Sequence, residues 1–161
     1  MPHIHELKDF TTSAFILHPK EPKLLLLKHI KIGKWLQPGG HIELDENPHQ
    51  ALNHEIEEET GLTPADWMFV DQPDHPRTSG NNITLPLPFY FNEHPMGNLP
   101  EHHHIDLTYL LKAKTDKLTD KPDGASEIAW LGMLEIERLH SLDEIYQDTY
   151  EICGWLATKY F

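Results

Sequence analysis

The chain is short of cysteine, of positive charge and of long apolar runs. Its single cysteine, Cys153, leaves no partner for an intrachain disulfide and no basis for a cysteine zinc cluster. Thirteen basic residues stand against 26 acidic ones, a formal net charge of −13 with histidine neutral. That balance argues against broad attachment to a nucleic-acid polymer or an anionic membrane. The strongest apolar run, Leu24 to Leu27, is far below the length that spans a bilayer, and Met1 to Lys8 has no charged-then-apolar layout of a secretory leader. A soluble, cytoplasmic protein is expected.

What is present suffices for one ordinary core. The chain has 161 residues, 39% of them hydrophobic and spread along the whole length, so a single domain over 1–161 is expected. Thirteen histidines are scattered from His3 to His140, with one cluster at His102, His103 and His104.

Thr11 to Leu17 and Lys23 to His29 read as strands joined by a polar turn with Pro19 and Pro22, a hairpin. Pro38, Gly39 and Gly40 mark a turn before a brief stretch over Ile42 to Leu44. From Asn47 the pattern turns helical: Asn47 suits an N-cap, Pro48 the first helical position, Gln50 a capping-box partner and Gly61 the stop. Trp67 to Val70, Ile83 to Phe91 and Ile105 to Ala113 are further strand candidates, the middle one demoted to an edge or irregular strand by Pro86 and Pro88. Residues 114–125 read as a loop and Ile128 to Leu131 as a strand. Ser141 to Glu144 reads as a capping box opening a final helix to about Thr158. Strands mixed with two or three helices predict an α+β protein, an α/β/α sandwich.

In a helix each residue advances about 100°, so Glu58 and Glu59 fall within about 60° of Glu55 while Glu57 points away. Carboxylates sharing a face near a helix C-terminus repel one another and the helix dipole. A divalent cation would reverse that sign, and hard oxygen donors suit Mg²⁺ or Mn²⁺. A solvated surface face is the alternative.

Gly40, Glu46, Glu55, Ile56, Glu58, Glu59, Gly61 and Leu62, preceded by Pro38 and Gly39, stand in the register of a known motif. The stretch resembles the box of the Nudix hydrolase family, with His54 at the family's arginine position. The resemblance implies a Nudix-like α/β/α sandwich with a mixed central sheet. It also implies a divalent cation held by Glu55, Glu58, Glu59 and the backbone carbonyl of Gly40, and hydrolysis of a nucleoside diphosphate linked to another moiety. Glu55 or Glu58 is the candidate base, with Glu101, His103 and His104 as candidates from outside the box, and His54 stands in for the guanidinium beside the glutamates.

Lys28, Lys31 and Lys34 offer local positive charge to phosphates, or serve as solubilising lysines. Strand alternation puts His102 and His104 on one face with Asp106, and His103 on the other; a His-x-His pair can hold zinc, or the three can be polar surface. Trp35 and Trp67 could stack on a base, with burial in the core as the other reading. Two rivals remain: a nucleotide-sensing module, which should have lost the metal glutamates, and a prenyl diphosphate isomerase, which would need a catalytic cysteine. The diphosphate and the oligomeric state stay open, a homodimer included. The leaving group would be read from loops around 73–104.

Overall fold

The computed structural model describes residues 7–161 apart from 75, 77–79 and 97–98. In chain order the elements are β1 (Lys8–Leu17), β2 (Leu24–His29), β3 (Trp35–Leu36), β4 (Gly39–His41), α1 (Pro48–Thr60), β5 (Trp67–Phe69), β6 (Tyr90–Met96), β7 (Leu99–Ala113), β8 (Ala125–Leu131), α2 (Met133–Ser141) and α3 (Gln147–Tyr160).

Among the described residues the strands join in one mixed sheet. β1 and β7 are its parallel centre, in register from Lys8 opposite His103 to Leu17 opposite Lys112. β1 is flanked antiparallel by β4 through Thr11 to Ser13 and by β2 at Leu17. β7 carries β6 beside its first half and β5 beside its second. β2 pairs in turn with β3 and β8.

Alternation along the strands splits the apolar residues between two faces. Ala14, Ile16, Leu25, Tyr109 and Leu111 pack with Leu52 and Ile56 of α1. Phe15, Leu17, Leu24, Leu26 and Leu110 pack on the other side with Ile136, Cys153 and Leu156 of α2 and α3. Helix, sheet and helix therefore form the expected sandwich. Burying each of Leu52 and Ile56 completely contributes about 1.5–3 kcal/mol, which seats the narrow apolar stripe of an otherwise acidic helix. Trp35 and Trp67 are both buried in these cores, so the core reading holds for them.

Helix α1 follows its local signals. The Asn47 side chain accepts from the N–H groups of His49 and Gln50, the Gln50 side chain accepts from Asn47 N–H, and Gly61 closes the helix in the left-handed region at φ 78°. Three expectations need correction. The turn expected at Pro38 to Gly40 is instead the start of a strand, Gly39–His41, and the turn comes later, where Glu46 N–H donates to Glu43 O. The strand expected over Ile83 to Phe91 begins only at Tyr90, residues 82–88 having no regular structure around Pro86 and Pro88.

The final helix does not open at Ser141. That residue ends α2, its hydroxyl donating back to Arg138 O, and Asp143 takes φ 56° before α3 starts at Gln147. The break is held from outside: Trp35 N–H donates to Glu144 O at 2.8 Å, and Ile145 bridges to Trp35.

Candidate active site

β4 and α1 meet at two glycines. A Cβ on Gly40 would collide with the Glu55 carboxyl group, and one on Gly39, at φ 152°, would strike Thr12 O and Ser13 of β1. The absence of both side chains lets the strand lie against β1 and the glutamate lie against the strand. Gly39 N–H donates to Glu59 Oε2 at 2.8 Å.

The three carboxylates differ in burial. Glu59 is 8% exposed, Glu55 is partly buried, and Glu58 is open to solvent, as is Glu57. Desolvation pushes the Glu59 carboxyl up to about 8; the Gly39 N–H pulls it down, and the charges of Glu55, Asp123 and Glu58 push it up again. Glu55 is also raised, first by burial and then by Glu58, against the opposing pull of His54.

His54 links two residues of the motif. Its Nδ1 is 2.7 Å from Glu46 Oε1 and its Nε2 is 3.4 Å from Glu55 Oε1. Burial lowers the imidazole pKa, but the Glu46 hydrogen bond and the negative charge of Glu46, Glu55 and Glu58 outweigh it and leave the ring above its ordinary value. An imidazole here reaches a carboxylate on each side, as a two-pronged cation would.

A divalent cation fits the donor set. Hard carboxylate oxygens crowd one corner, the Glu55 and Glu59 carboxyls raised in pKa chiefly by burial, and a cation relieves both the burial cost and the mutual repulsion. Among the described residues, no three His, Cys, Asp or Glu side chains already converge on one cation position, so ligation requires side-chain turns.

The other sequence candidates lie elsewhere. Lys34 Nζ donates to Asp143 O and Oδ1, both at 2.7 Å, and Lys28 Nζ stands 3.6 Å from Glu144 Oε2; both lysines are engaged with the α2–α3 connection. Glu101 is exposed on β7. His102 and His104 share a face, their ring centroids 5.5 Å apart, while His103 Nδ1 lies 2.8 Å from Glu93 Oε1. Asp106 is on the face expected, yet its carboxylate is buried and accepts from the hydroxyls of Thr11, Ser13 and Thr108, which makes it a cross-strand anchor rather than a ligand in waiting. The hydroxyls of Thr11 and Ser13, alternating in an apolar strand, are the signal that could have revealed it. Of the loops over 73–104, residues 75, 77–79 and 97–98 lie outside the described residues.

The NUDIX domain pattern matches residues 8–152, nearly the whole chain. The chain belongs to the Nudix family. Two relatives are a probable DHNTP pyrophosphohydrolase of Lactococcus lactis subsp. cremoris (strain MG1363), 36% identical over 104 residues covering 65% of this chain and 55% of that protein, and the phosphatase NudJ of Escherichia coli (strain K12), 37% identical over 65 residues covering 39% and 42%. The chain spans about half the length of the curated relatives it matches. Two solved structures share the Nudix fold. A Nudix-family hydrolase of Clostridium perfringens superimposes with TM-score 0.70 at 23% identity, and an Ap4A hydrolase of C. elegans with 0.67 at 14%, each match covering 93% of this chain and 96% of the other.

Proposed function

We propose that this Nudix chain is a pyrophosphohydrolase that uses Mg²⁺ or Mn²⁺ to cleave the diphosphate linkage of a nucleoside diphosphate joined to another moiety. The carrying observation is the junction of β4 and α1. Gly40 has no room for a side chain because Glu55 fills that space, and Gly39 holds Glu59, so the carboxylates and the Gly40 backbone gather at one corner. Glu55, Glu58, Glu59 and the Gly40 carbonyl would hold the cation. Bound there, it supplies positive charge to the diphosphate and acidifies the attacking water.

The remaining work falls to the chain. Glu58, the carboxylate most open to solvent, or Glu55 beside it accepts the proton of that water. His54 positions Glu46 and Glu55 through its two ring nitrogens. Lys28 and Lys34 serve the phosphates only by exchanging Glu144 and Asp143 for them. Glu101 and His104 remain the candidates outside the box for contact with the leaving moiety.

Relatives named for pyrophosphohydrolysis support the reaction class. The isomerase rival loses its nucleophile: Cys153 is fully buried in the core under α3, its thiol pushed up to about 12 chiefly by desolvation. No observation favours the sensing module, since Glu55, Glu58 and Glu59 are all retained in the chain. Residues 1–161 would act as one catalytic unit, and the lone, buried cysteine is at home in a reducing cytoplasm. Among the described residues no helix is long and apolar enough to cross a membrane.

The test is a phosphate-release screen over dinucleotide polyphosphates, nucleotide sugars, ADP-ribose, oxidised nucleotides and non-nucleotide diphosphates, with product identification. Hydrolysis of at least one class is expected in Mg²⁺ or Mn²⁺, and none in chelator. Equal turnover in chelator, or no hydrolysis of any class, would overturn the reading.

A further inference from the structure

The fold gathers histidines that the sequence scatters. His41 of β4, His94 of β6 and His102 of β7 surround His104, their ring centroids 5.1, 5.6 and 5.5 Å from its own. Strand register brings them together: Asp9 and His94 stand on either side of His104, His41 pairs with Thr11, and His102 is two residues from His104 on one face. Asp9 Oδ2 lies 3.1 Å from His102 Nε2 and 3.7 Å from His41 Nε2. His104 Nε2 is buried with no hydrogen-bond partner.

We propose that His41, His102, His104 and Asp9 form a second metal site, selective for a borderline-soft divalent cation of the zinc class. The magnitudes fit. With zinc bonds of about 2.0–2.1 Å in a tetrahedral site, neighbouring donor atoms lie about 3.3 Å apart and the centroids of two ligating imidazoles about 5.2 Å apart. Before any side chain turns, the Asp9 separations bracket the first figure and the His41–His104 separation lies near the second, while no three of these side chains yet converge on one cation position. Imidazole nitrogens suit zinc over Mg²⁺, whereas the carboxylates of α1 accept hard divalent cations generally.

The rings meet edge to face, so ligation needs His41 and His102 to turn. His41 has the freedom to do so, its side chain being about half exposed on a three-residue strand. Behind them His94 Nδ1 is 2.8 Å from Asn92 Oδ1, which orients that ring against His104. Burial lowers the pKa of His104, keeping its nitrogen in the lone-pair form that a metal requires. Occupancy would tie β4 to β1 and β7 one residue from Gly40. The inference uses none of the glutamates, but it takes His104 as a metal ligand in place of its proposed contact with the leaving moiety.

The full chain, stripped with chelator, is titrated with Zn²⁺ by calorimetry and with Co²⁺ by visible absorption, where a tetrahedral site gives an intense band. Wild type is expected to bind one equivalent outside the glutamate face, so that binding persists in the Glu58→Gln, Glu59→Gln double variant and in His3→Gln, His5→Gln. His41→Gln and His102→Gln, both at positions accessible enough to preserve the fold, should each weaken Zn²⁺ at least about tenfold and diminish the Co²⁺ band. Unchanged affinity in both histidine variants, or loss of binding in either double variant, would overturn the proposal.

Discussion

On one side of β4 lie carboxylates and on the other imidazoles. Gly39 and Gly40 face Glu59 and Glu55 of α1, while His41, the next residue, joins His104, with Asp9 and His102 beside it, on the sheet. The first region is built by a helix laid against a strand that has no side chains to keep it away. The second is built by register across four strands. Carboxylate oxygens and imidazole nitrogens are thus separated by the face of the sheet on which they stand rather than by distance along the chain.

The helix face should respond most severely to substitution. Glu58→Gln or Glu59→Gln should lower turnover by about two to four orders of magnitude, as expected on removing a metal ligand or acid–base group, while Glu57→Gln should be nearly silent. Steady-state kinetics at saturating Mg²⁺ checks this; a comparable loss in Glu57→Gln would contradict the division of the helix into a site face and a solvent face.

The strand should respond next. Gly40→Ala should cost about a hundredfold in turnover, because the added methyl must displace the Glu55 carboxyl. Gly33→Ala, at φ 73° with open space around it, should cost stability but little turnover per folded molecule. Thermal melts beside kinetics separate the two outcomes, and wild-type turnover in Gly40→Ala would show that the close approach is not needed.

The mildest effect is expected at His54. His54→Ala should lose about tenfold, the scale of a residue acting through its neighbours, and His54→Arg should restore most of it by reaching Glu46 and Glu55 together. A merely structural His54 would give equal losses in both variants, with matching shifts in melting temperature.

The two regions also differ in how legible they were. The bounds of α1 could be read beforehand because their signals are local, Asn47, Pro48, Gln50 and Gly61 delimiting it, whereas the unequal burial of Glu55, Glu58 and Glu59 depends on Gly39 and Gly40 of β4. Strand alternation likewise separated His103 from His102 and His104. What could not be read was register. Nothing in the sequence pairs His41 with Thr11 or Asp9 with His104, so the histidine corner and the Asp106 anchor came only with the sheet.

Helix α2 was missed for a related reason. It opens on Gly132, whose N–H is held by Glu135, not on a polar cap residue, whereas Ser141 to Glu144 imitates a cap but is bent away by contacts with Trp35 from β3. Lys28 and Lys34 looked like phosphate ligands by sequence proximity to the box, and the same α2–α3 connection engages them.

Whether the glutamate face of α1 holds the catalytic cation is answered by direct Mn²⁺ binding, without any substrate. Titration followed by electron paramagnetic resonance should show Mn²⁺ bound by the wild-type chain and by Glu57→Gln, and at least about tenfold weaker in Glu55→Gln and in Glu59→Gln. Equal Mn²⁺ affinity in all four proteins would contradict the account.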